Sequence, residues 1–470
     1  MATKVAPIMS VNPATEEVLK TYEPYTTAEV EQALAQAQEA FLDWRTRSFA
    51  DRAVPMKKLA AVLRERADAY ARLMTLEMGK PIGEAKAEVE KCAWGCEFYA
   101  DNAARFLAEE AAETSARKSY VRFDPLGIVL AVMPWNFPFW QVVRFGAPAL
   151  MAGNAVVLKH ASNVPGCALA IEEAVRDAGF PLGLLRTLLV VGGLVEPVIA
   201  DERVRAVTLT GSSVTGSQIA AAAGRNLKKT VLELGGSDPY IVLADADLDA
   251  AATIAVRARN QNNGQSCIAA KRFIVQDKVA PDFEQRFGRG VEALRIGDPL
   301  DPATQIGPLA RGDLREALER QVKESVRMGA RVVTGGKRWG DRGFFYAPTI
   351  LADVTADMPV FREETFGPVA AIMTVRDADQ AVAVANDTEY GLGANLWTRD
   401  IALAEKLAPR IESGQVFVNG MVASDPRIPF GGVKNSGYGR ELATFGIREF
   451  TNIKTVWIGP ASTATTPKAE

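Results

Sequence analysis

One cysteine and one carboxylate stand in surroundings that favour chemistry over packing. Cys267 ends the run Asn-Asn-Gly-Gln-Ser-Cys at 262–267, a loop of small and polar residues in which a thiol can meet a ligand. Glu233 lies in Leu-Glu-Leu-Gly-Gly at 232–236, between apolar residues and beside two glycines. A cysteine nucleophile usually takes its base from histidine, but the chain has a single histidine, His160. The sequence therefore favours Glu233 as the base for a Cys267 nucleophile.

Composition and charge are those of an ordinary globular protein. The 470 residues are 48% hydrophobic and 24% charged, and the formal net charge is −3 at pH 7. A chain of this length predicts about two to three domains, and its charge gives no basis for binding nucleic acid or an anionic membrane. The sequence has no apolar stretch of membrane-spanning length and no signal-peptide pattern at its start. We therefore expect a cytoplasmic protein with reduced cysteines.

No metal site is expected from the cysteines and the histidine. Cys92 and Cys96 share one face of a predicted helix, but no second thiol pair or nearby histidine completes a zinc site. We interpret both as buried packing residues. The only histidine, His160, stands beside Lys159 rather than beside other metal ligands.

The periodicity of apolar residues predicts a helical start and then two strand–helix series. After residue 119, short apolar runs alternate with helical segments, which is typical of parallel βαβ units with helices on both faces. The fold class is therefore α/β with two halves, and residues 233–267 lie near their junction. Helices are predicted at 28–44, 52–75, 81–106, 140–150, 164–177, 214–223, 281–294 and 311–328, and strands at 127–133, 155–158, 187–191, 206–210, 230–234, 271–276, 331–334, 369–375 and 416–419.

A phosphate-binding turn is one interpretation of residues 206–216, where an apolar strand runs into Gly211-Ser212 and then a helix. Backbone N–H groups at a helix start can hold a phosphate. The G-x-G-x-x-G fingerprint is absent, so the motif alone favours a simple strand–helix connection. Lys159, at the end of a predicted strand, could bind a ribose or phosphate, although a surface lysine is the default interpretation.

Together these segments resemble the aldehyde dehydrogenase superfamily over nearly the whole chain. Their order and spacing make chance, or a shared fold alone, a poor explanation. The resemblance implies a Rossmann-type cofactor domain, an α/β catalytic domain and a small β oligomerisation arm. The matching segments are PWNFP (134–138), KHAS (159–162), GSSVTG (211–216), LELGG (232–236), GQSC (264–267), EETFGP (363–368) and PFGGVK (429–434).

The resemblance also implies how the chain divides. The units are a cofactor-binding domain at 1–112 and 126–235, a catalytic domain at 236–440, and oligomerisation segments at 113–125 and 441–460. Residues 119–124 and 452–458 would form an interchain sheet, so a homodimer or homotetramer is expected. The polar tail 461–470 is expected to be disordered.

The mechanism that the resemblance implies assigns one role to each chemical residue. Cys267 would attack an aldehyde carbon to give a thiohemiacetal and then a thioester. The Asn136 side-chain amide and the Cys267 backbone N–H would hold the oxyanion. Glu233 would activate the water that hydrolyses the thioester, provided that its site raises its pKa.

The resemblance further implies a nicotinamide dinucleotide as cofactor. Ser162 stands where NAD-specific relatives have a glutamate that repels a 2′-phosphate, so NADP is expected, with NAD as a poorer substrate. His160 replaces the family's usual proline, and we expect a structural role for it. The implied cofactor-binding residues are Trp135, Asn136, Lys159, Ser162, Gly211, Ser212, Gly216, Leu234, Glu364 and Phe366.

The expected substrate is an aldehyde that carries a carboxylate. Arg144, on the predicted helix 140–150 that would line the substrate tunnel, suits a carboxylate through two parallel hydrogen bonds. An internal salt bridge or a surface position is the competing interpretation. Segments 159–165 and 424–432 resemble an NADP-linked bacterial branch of the superfamily that acts on succinic semialdehyde. Ser424 would then add a hydroxyl and Trp140 and Phe430 apolar walls, whereas Arg427 is as well explained by local pairing with Asp425.

Other functions remain open at the level of the sequence. A broad-specificity semialdehyde or aliphatic aldehyde dehydrogenase keeps the chemistry and changes the substrate. A coenzyme A-acylating enzyme is disfavoured by Glu233, and a non-catalytic structural member by the presence of all three chemical residues. A cysteine hydrolase would need a second histidine. Relatives with a second cysteine two positions after the nucleophile can be switched off by a disulfide, but Ala269 occupies that position here.

Overall fold

Two mostly parallel β-sheets, with helices packed against them, organise the computed structural model of the chain, which describes residues 6–459. The tail at 461–470, for which disorder is expected, lies outside the described residues. The elements up to the end of the first sheet's parallel strands are β1 (Ile8–Val11), β2 (Val18–Tyr22), α1 (Thr27–Trp44), α2 (Phe49–Glu65), α3 (Ala67–Met78), α4 (Ile82–Phe106), β3 (Glu110–Ala111), β4 (Lys118–Pro125), β5 (Ile128–Met133), α5 (Trp140–Ala152), β6 (Ala155–His160), α6 (Pro165–Asp177), β7 (Leu185–Thr187), α7 (Val195–Ala200), β8 (Val204–Thr210), α8 (Ser213–Arg225) and β9 (Lys229–Glu233).

The remaining elements build the second sheet and return to the first. They are β10 (Asp238–Val242), α9 (Leu248–Asn260), β11 (Ala270–Gln276), α10 (Ala280–Glu292), α11 (Gly312–Arg327), β12 (Arg331–Thr334), β13 (Thr349–Ala352), α12 (Pro359–Arg362), β14 (Val369–Val375), α13 (Ala378–Asn386), β15 (Tyr390–Gly391), β16 (Gly393–Trp397), α14 (Ile401–Leu407), β17 (Gln415–Val418), β18 (Val433–Lys434), β19 (Gly437–Tyr438), α15 (Ala443–Glu449) and β20 (Thr451–Ile458).

The first sheet has the strand order β19-β9-β8-β5-β6-β7, and all its pairs are parallel except β19 with β9. Its inner strands β5, β6 and β8 are mostly buried and apolar, as expected for a sheet covered on both faces. At one edge Met133 is paired with His160, and Thr210 with Glu233. The carboxyl ends of these strands therefore bring together the segments that the sequence marks as functional.

The second sheet has the order β12-β13-β14-β11-β10-β16-β17, with only β12 antiparallel to its neighbour. Cys267 lies in the connection from α9 to β11. After this sheet is complete, β19 returns to the first one and pairs Gly437 with Glu233. The nucleophile and the candidate base are thus carried by different sheets, and the α/β class with two halves is confirmed.

The helical start follows the prediction with one difference. α2 and α3 are separate helices rather than one, because the backbone of Arg66 leaves the helical region at φ −103° and ψ 17°. Two capping boxes fix helix starts, with Thr26 and Glu29 at α1 and Ser48 and Asp51 at α2. Cys92 and Cys96 are fully buried in α4, which confirms their role in packing.

The strand predicted at 187–191 is mostly wrong, since β7 ends at Thr187. Leu188 and Val190 are buried at 2% and 3% exposure without continuing the strand, and Tyr25 donates a backbone hydrogen bond to the carbonyl of Leu189. Burial by neighbouring elements, rather than sheet pairing, accounts for this apolar run.

A separate three-stranded sheet joins the two segments expected at an oligomer interface. The expected interchain pairing of 119–124 with 452–458 is wrong, because β20 pairs antiparallel with β4 within one chain, from Thr451–Pro125 to Ile458–Lys118. β3 pairs with the other side of β4. Ile453 and Trp457 on β20 are 65% and 54% exposed. Across residues 6–459, no helix is both long and apolar enough to cross a membrane.

Candidate active site

The turn that carries Cys267 has an unusual backbone. Asn262 and Asn263 both have left-handed conformations, with φ of 56° and 58°, and Gly264 follows at φ +74°. A Cβ on Gly264 would lie 2.4 Å from the carbonyl carbon of Gly367, so this position requires glycine. Asparagine tolerates the left-handed region better than most residues. The small polar run therefore encodes a sharply folded, buried turn before the nucleophile.

Amide side chains hold this turn against the segment that contains Asn136. Asn262 Nδ2 donates to the backbone carbonyls of Asn136 (2.7 Å) and Gln265 (3.0 Å). Asn136 Nδ2 donates one hydrogen bond to the Gln265 carbonyl at 3.1 Å. An amide nitrogen has two hydrogens, so one N–H of Asn136 remains for an oxyanion beside the turn.

Lys271, which sequence reasoning missed, fixes the other side of the turn. Its buried ammonium group donates to the carbonyls of Ser266 (3.0 Å), Cys267 (2.8 Å) and Ala269 (3.2 Å). Glu364 Oε1 lies 3.8 Å away. Lys271 is the first residue of the strand predicted at 271–276, and this pattern gave no signal, because only the fold directs the side chain back to the preceding turn.

Cys267 lies where two cavities meet. One, of about 420 Å³, also contacts Trp135, Gly211 and Glu364; the other, of about 350 Å³, contacts Trp140 and Arg144. Gln141 also lines both cavities, and its buried Oε1 has no hydrogen-bond partner among the described residues. A thiol reached from two sides can meet a cofactor and a substrate at once.

The larger cavity collects most of the residues expected to bind the cofactor. Arg311, which the sequence did not indicate, also lines it, with its guanidinium 6.0 Å from the Trp135 ring centre. Trp135 and Phe366 meet edge to face at a centroid distance of 5.7 Å. The predicted residues on its surface are Trp135, Asn136, Gly211, Ser212, Leu234, Glu364 and Phe366.

Three other predicted cofactor residues lie outside this cavity. Lys159 is the penultimate residue of β6 and is half-buried, and Ser162 is exposed two residues beyond the strand. Gly216 instead allows close packing, since a Cβ there would lie 2.5 Å from a methyl group of Leu234. Lys159 and Ser162 therefore lie further out along the same edge of the first sheet.

The cavity fits a dinucleotide on structural grounds. Helix α8 begins directly after Gly211, and its N-cap Ser212 accepts a hydrogen bond from the Thr215 backbone. The first N–H groups of a helix attract phosphate. The Gly236 N–H donates a hydrogen bond of 3.0 Å to Glu364 Oε1 and thereby orients the carboxylate. The remaining lone pairs of this carboxylate can accept hydrogen bonds from ribose hydroxyls. A Cβ on Gly235 would lie 2.6 Å from that carboxylate, so glycine keeps this wall open.

Glu233 is buried at the end of β9, and neither carboxylate oxygen has a hydrogen-bond partner among the described residues. Burial, followed by the charge of Glu441, raises the pKa of Glu233 well above its usual value, while Arg144 and Arg440 act in the opposite direction. The side chain is directed towards Gly431, and it lines neither of the two cavities at Cys267. A carboxyl with a raised pKa can accept a proton near neutral pH.

Arg144 lines the smaller cavity, but its charge is already compensated. Its guanidinium forms a buried ion pair with Glu441 and donates from Nη2 to Thr210 Oγ1 at 3.3 Å. The Phe430 ring lies 4.5 Å from the guanidinium carbon. Backbone hydrogen bonds of 2.7 Å in both directions between Phe430 and Glu441 place that carboxylate beside Arg144. The internal salt bridge considered from the sequence is thus present, at the cavity wall.

Ser424, Trp140 and Phe430 all line the same cavity, as expected. Ser424 Oγ accepts from Trp140 Nε1 at 2.9 Å. Arg427 does not line it; its Nε donates to Asp425 at 2.8 Å, and its guanidinium lies over the Trp94 ring. Local pairing is the correct interpretation of Arg427.

His160 has a structural position next to the Asn136 segment. Its Nδ1 accepts from the Ala161 backbone at 2.8 Å, so its Nε2 donates to the Pro138 carbonyl at 2.9 Å. Burial lowers the pKa of His160 to about 4. The ring is neutral at pH 7 and fixes the loop that follows β5. No group of three or more possible metal ligands occurs among residues 6–459.

Fold and site together define an oxidoreductase of the cysteine-dependent aldehyde type, and the chain belongs to the aldehyde dehydrogenase family, whose profile matches residues 2–456. Among its relatives, a probable NADP(+) succinate-semialdehyde dehydrogenase of Synechocystis sp. is 53% identical, covering 96% of this chain and 99% of the relative. Succinate-semialdehyde dehydrogenase [NADP(+)] 1 of Mycobacterium tuberculosis is also 53% identical, covering 96% and 100%. The crystal structure of succinic semialdehyde dehydrogenase from Streptococcus pyogenes in complex with NADP+ superimposes with a TM-score of 0.94 at 40% identity, covering 96% and 100% of the two chains.

Proposed function

We propose that this protein oxidises succinic semialdehyde to succinate with NADP+. The observation that carries the proposal is that Cys267 shares one cavity with Arg144 and Ser424, which suit a carboxylate at the far end of a short aldehyde. The names of the relatives at 53% identity support the same substrate and cofactor.

In the first half of the reaction Cys267 is the nucleophile. Burial raises the pKa of its thiol to about 12, and Arg144 and Lys271 only partly offset this effect. The thiol must therefore release its proton to the solvent of the cavity as the sulfur bonds to the aldehyde carbon and the carbonyl double bond opens to an oxyanion. The free N–H of Asn136 and the backbone N–H of Cys267 stabilise the oxyanion that forms, at about 3 kcal/mol for each donor.

In the second half the Cys267 thioester is hydrolysed with Glu233 as general base. The raised pKa of Glu233 suits it to take a proton from water. Because this carboxyl is directed towards Gly431 in the structure, we propose that it turns towards Cys267 for this step. Before this step, the former aldehyde carbon would lose its hydride to a bound NADP+, so that the thiohemiacetal on Cys267 becomes the thioester.

Trp135, Leu234 and Phe366 would enclose the nicotinamide, and Glu364 its ribose. Lys159 and Ser162 would hold the adenosine ribose and its 2′-phosphate. Ser162 is exposed and carries no negative charge that would repel this phosphate. NAD lacks the 2′-phosphate, so it would form fewer contacts with Lys159 and Ser162 and would serve as the poorer cofactor.

The test is a comparison of initial rates of NADPH and NADH formation from succinic semialdehyde and from hexanal. We expect a strong preference for succinic semialdehyde with NADP+, no activity in Cys267→Ala, and a selective loss on succinic semialdehyde in Arg144→Ala. Equal rates with hexanal would instead identify a broad-specificity aldehyde dehydrogenase. Acyl-CoA formation on adding coenzyme A would contradict hydrolysis by Glu233.

The assembly and location that we propose rest on other observations. Residues 113–125 and 441–460 would form an oligomer interface, because the β20–β4 sheet exposes Ile453 and Trp457. Light scattering should then give a dimer or tetramer, and Trp457→Glu should dissociate it. A cytoplasmic location agrees with four free cysteines, and cell fractionation would test it.

A further inference from the structure

The smaller cavity contains charged groups that are almost all engaged by the protein. Glu88 forms a buried ion pair with Lys80 and accepts from two backbone N–H groups. Glu84 accepts from the Asn262 N–H at 2.6 Å, and the charge of Arg257, at the exposed rim, acts on this same carboxyl. Arg144 is paired with Glu441, as described above.

Lys91 on α4 is the exception among the charged groups of this cavity that are not exposed. Its ammonium group lines the cavity, donates to Ser424 Oγ at 2.7 Å and lies 4.6 Å from the centre of the Trp140 ring. Among residues 6–459 it forms no ion pair with a carboxylate. A partly buried cation without a counter-ion is costly, and two of its three N–H groups are free to meet an anion.

The hydrogen bonds around Ser424 indicate where an anion would bind. Its Oγ accepts from both Lys91 Nζ and Trp140 Nε1, which are donors only. The Ser424 hydrogen consequently has no protein acceptor among the described residues. The ammonium of Lys91 and the hydroxyl of Ser424 together offer hydrogen-bond donors to a carboxylate in this cavity.

We propose that Lys91 determines substrate specificity by binding, together with Ser424, the carboxylate of the aldehyde substrate. The inference rests on the proposed function and deepens it. Arg144 forms part of the cavity wall and contributes hydrogen bonds, but the charge of the substrate carboxylate is compensated by Lys91.

A dependence on pH follows from this arrangement. Burial, followed by the charge of Arg144, lowers the pKa of Lys91 to about 8, whereas Cys92, Glu88 and Asp425 act in the opposite direction. A bound carboxylate favours the protonated ammonium, so affinity for the acid substrate is lost as pH rises through about 8. Cys267 titrates equally for every aldehyde, so the ratio of kcat/KM between two aldehydes isolates Lys91.

The experiment compares succinic semialdehyde with butanal, which has the same four carbons and no carboxylate. In Lys91→Met we expect the ratio of kcat/KM between the two substrates to fall about 10- to 100-fold, mainly through KM for succinic semialdehyde. Lys91→Arg should retain most of the ratio. The matched control is Lys86→Met, which removes the same charge from an exposed lysine of α4 that pairs with Asp68 and should leave the ratio as in the wild type.

A second measurement uses the wild type alone, so Lys91 can still be tested if a variant folds poorly. The substrate ratio should fall as pH is raised from 7 to 9.5, and Lys91→Arg should flatten this decline because its guanidinium stays protonated. If the wild type prefers succinic semialdehyde while Lys91→Met keeps the ratio, or if the ratio is independent of pH, Lys91 is not the determinant and the proposed function stands. If the wild type shows no preference for succinic semialdehyde, both proposals fail.

Discussion

At the scale of single residues, the state of Cys267 is a testable consequence of its burial. With a pKa of about 12, the thiolate fraction should increase about tenfold for each pH unit below that value. Alkylation of Cys267 by iodoacetamide in the cofactor-free enzyme should therefore accelerate steadily from pH 7 to 9.5. Mass spectrometry of the labelled peptide measures the rate, because the other three cysteines are buried. A plateau below pH 9 would show that a neighbouring group activates the thiol before the cofactor binds.

Glu441 is the residue that most clearly controls Glu233 from a distance. Its charge raises the pKa of Glu233, while Arg144, its ion-pair partner, lowers it. Replacing Glu441 by Gln removes the repulsion and leaves Arg144 to act on Glu233, and both changes lower the pKa of Glu233. A base must be deprotonated to act, so the acid limb of thioester hydrolysis should move to lower pH.

This shift is measured as the pH profile of hydrolysis after a single turnover. Glu449→Gln is the matched control, because Glu449 also raises the pKa of Glu233 but contributes less than Glu441 does. It should shift the limb by less than Glu441→Gln does. If the acid limb of the hydrolysis profile has the same pH midpoint in Glu441→Gln as in the wild type, Glu233 is not the group whose titration the profile reports.

Individual residues differ in how far the sequence reveals them. Cys267, Glu233 and Asn136 stand in motifs, so their types and order are sufficient to predict a role for each of them. Lys91 was not found because its side chain reaches Ser424 over 333 positions of sequence. Lys271 was not found because its side chain folds back onto the turn before its own strand. Helical or strand periodicity indicates which face a residue occupies, not which distant loop covers that face.

At the scale of elements, the turn before Cys267 depends on a glycine that cannot be replaced. Alanine at position 264 would have to adopt φ +74° and place its Cβ against the backbone of Gly367. We expect Gly264→Ala to destabilise the protein by about 2–5 kcal/mol, and to lower activity further by displacing Cys267. Urea unfolding and initial rates measure the two effects.

Gly224→Ala provides the control for this element, because it lies in helix α8 with no atom within 4 Å of its added Cβ. It should change stability by less than about 1 kcal/mol, in the stabilising direction. Equal effects of the two substitutions would contradict a special role for the turn at 262–264.

Helices were predicted more reliably than strands, for a physical reason. Amphipathic periodicity identified α1, α4 and α6 almost to the residue, because each buries one face of a long regular pattern. The apolar residues at 187–191 instead belong to an irregular buried segment, and no local feature separates that from a strand. β19 is only two residues long and exists because Gly437 pairs with Glu233, which no local pattern specifies.

At the scale of the whole molecule, stability near neutral pH reflects two opposing sets of buried groups. Carboxyls whose pKa burial raises bind protons more readily in the folded state, so their contribution grows as pH falls. They are Glu77, Glu84, Glu233, Asp238, Glu364 and Glu441. The single histidine of the chain, His160, acts in the other direction because burial lowers its pKa.

The contribution of His160 can be separated by substitution. Its pKa falls from 6.5 to about 4 on folding, so the unfolded chain takes up the proton first as pH drops. Stability from this residue is complete above pH 6.5 and declines by up to roughly 3 kcal/mol as pH falls towards 4. His160→Gln loses the ring hydrogen bonds to Pro138 and Ala161, so it should be less stable than the wild type at pH 7. Because glutamine does not titrate, only the wild type loses stability as pH falls, and the gap in Tm should narrow at pH 4.5. Thermal unfolding of both proteins at the two pH values measures this gap, and the buried carboxyls cancel in the comparison. A gap that is constant between pH 7 and 4.5 would mean that His160 is already protonated in the folded protein at pH 4.5. A neutral ring held by two backbone hydrogen bonds beside the Asn136 loop would then be the wrong description of the folded protein at that pH.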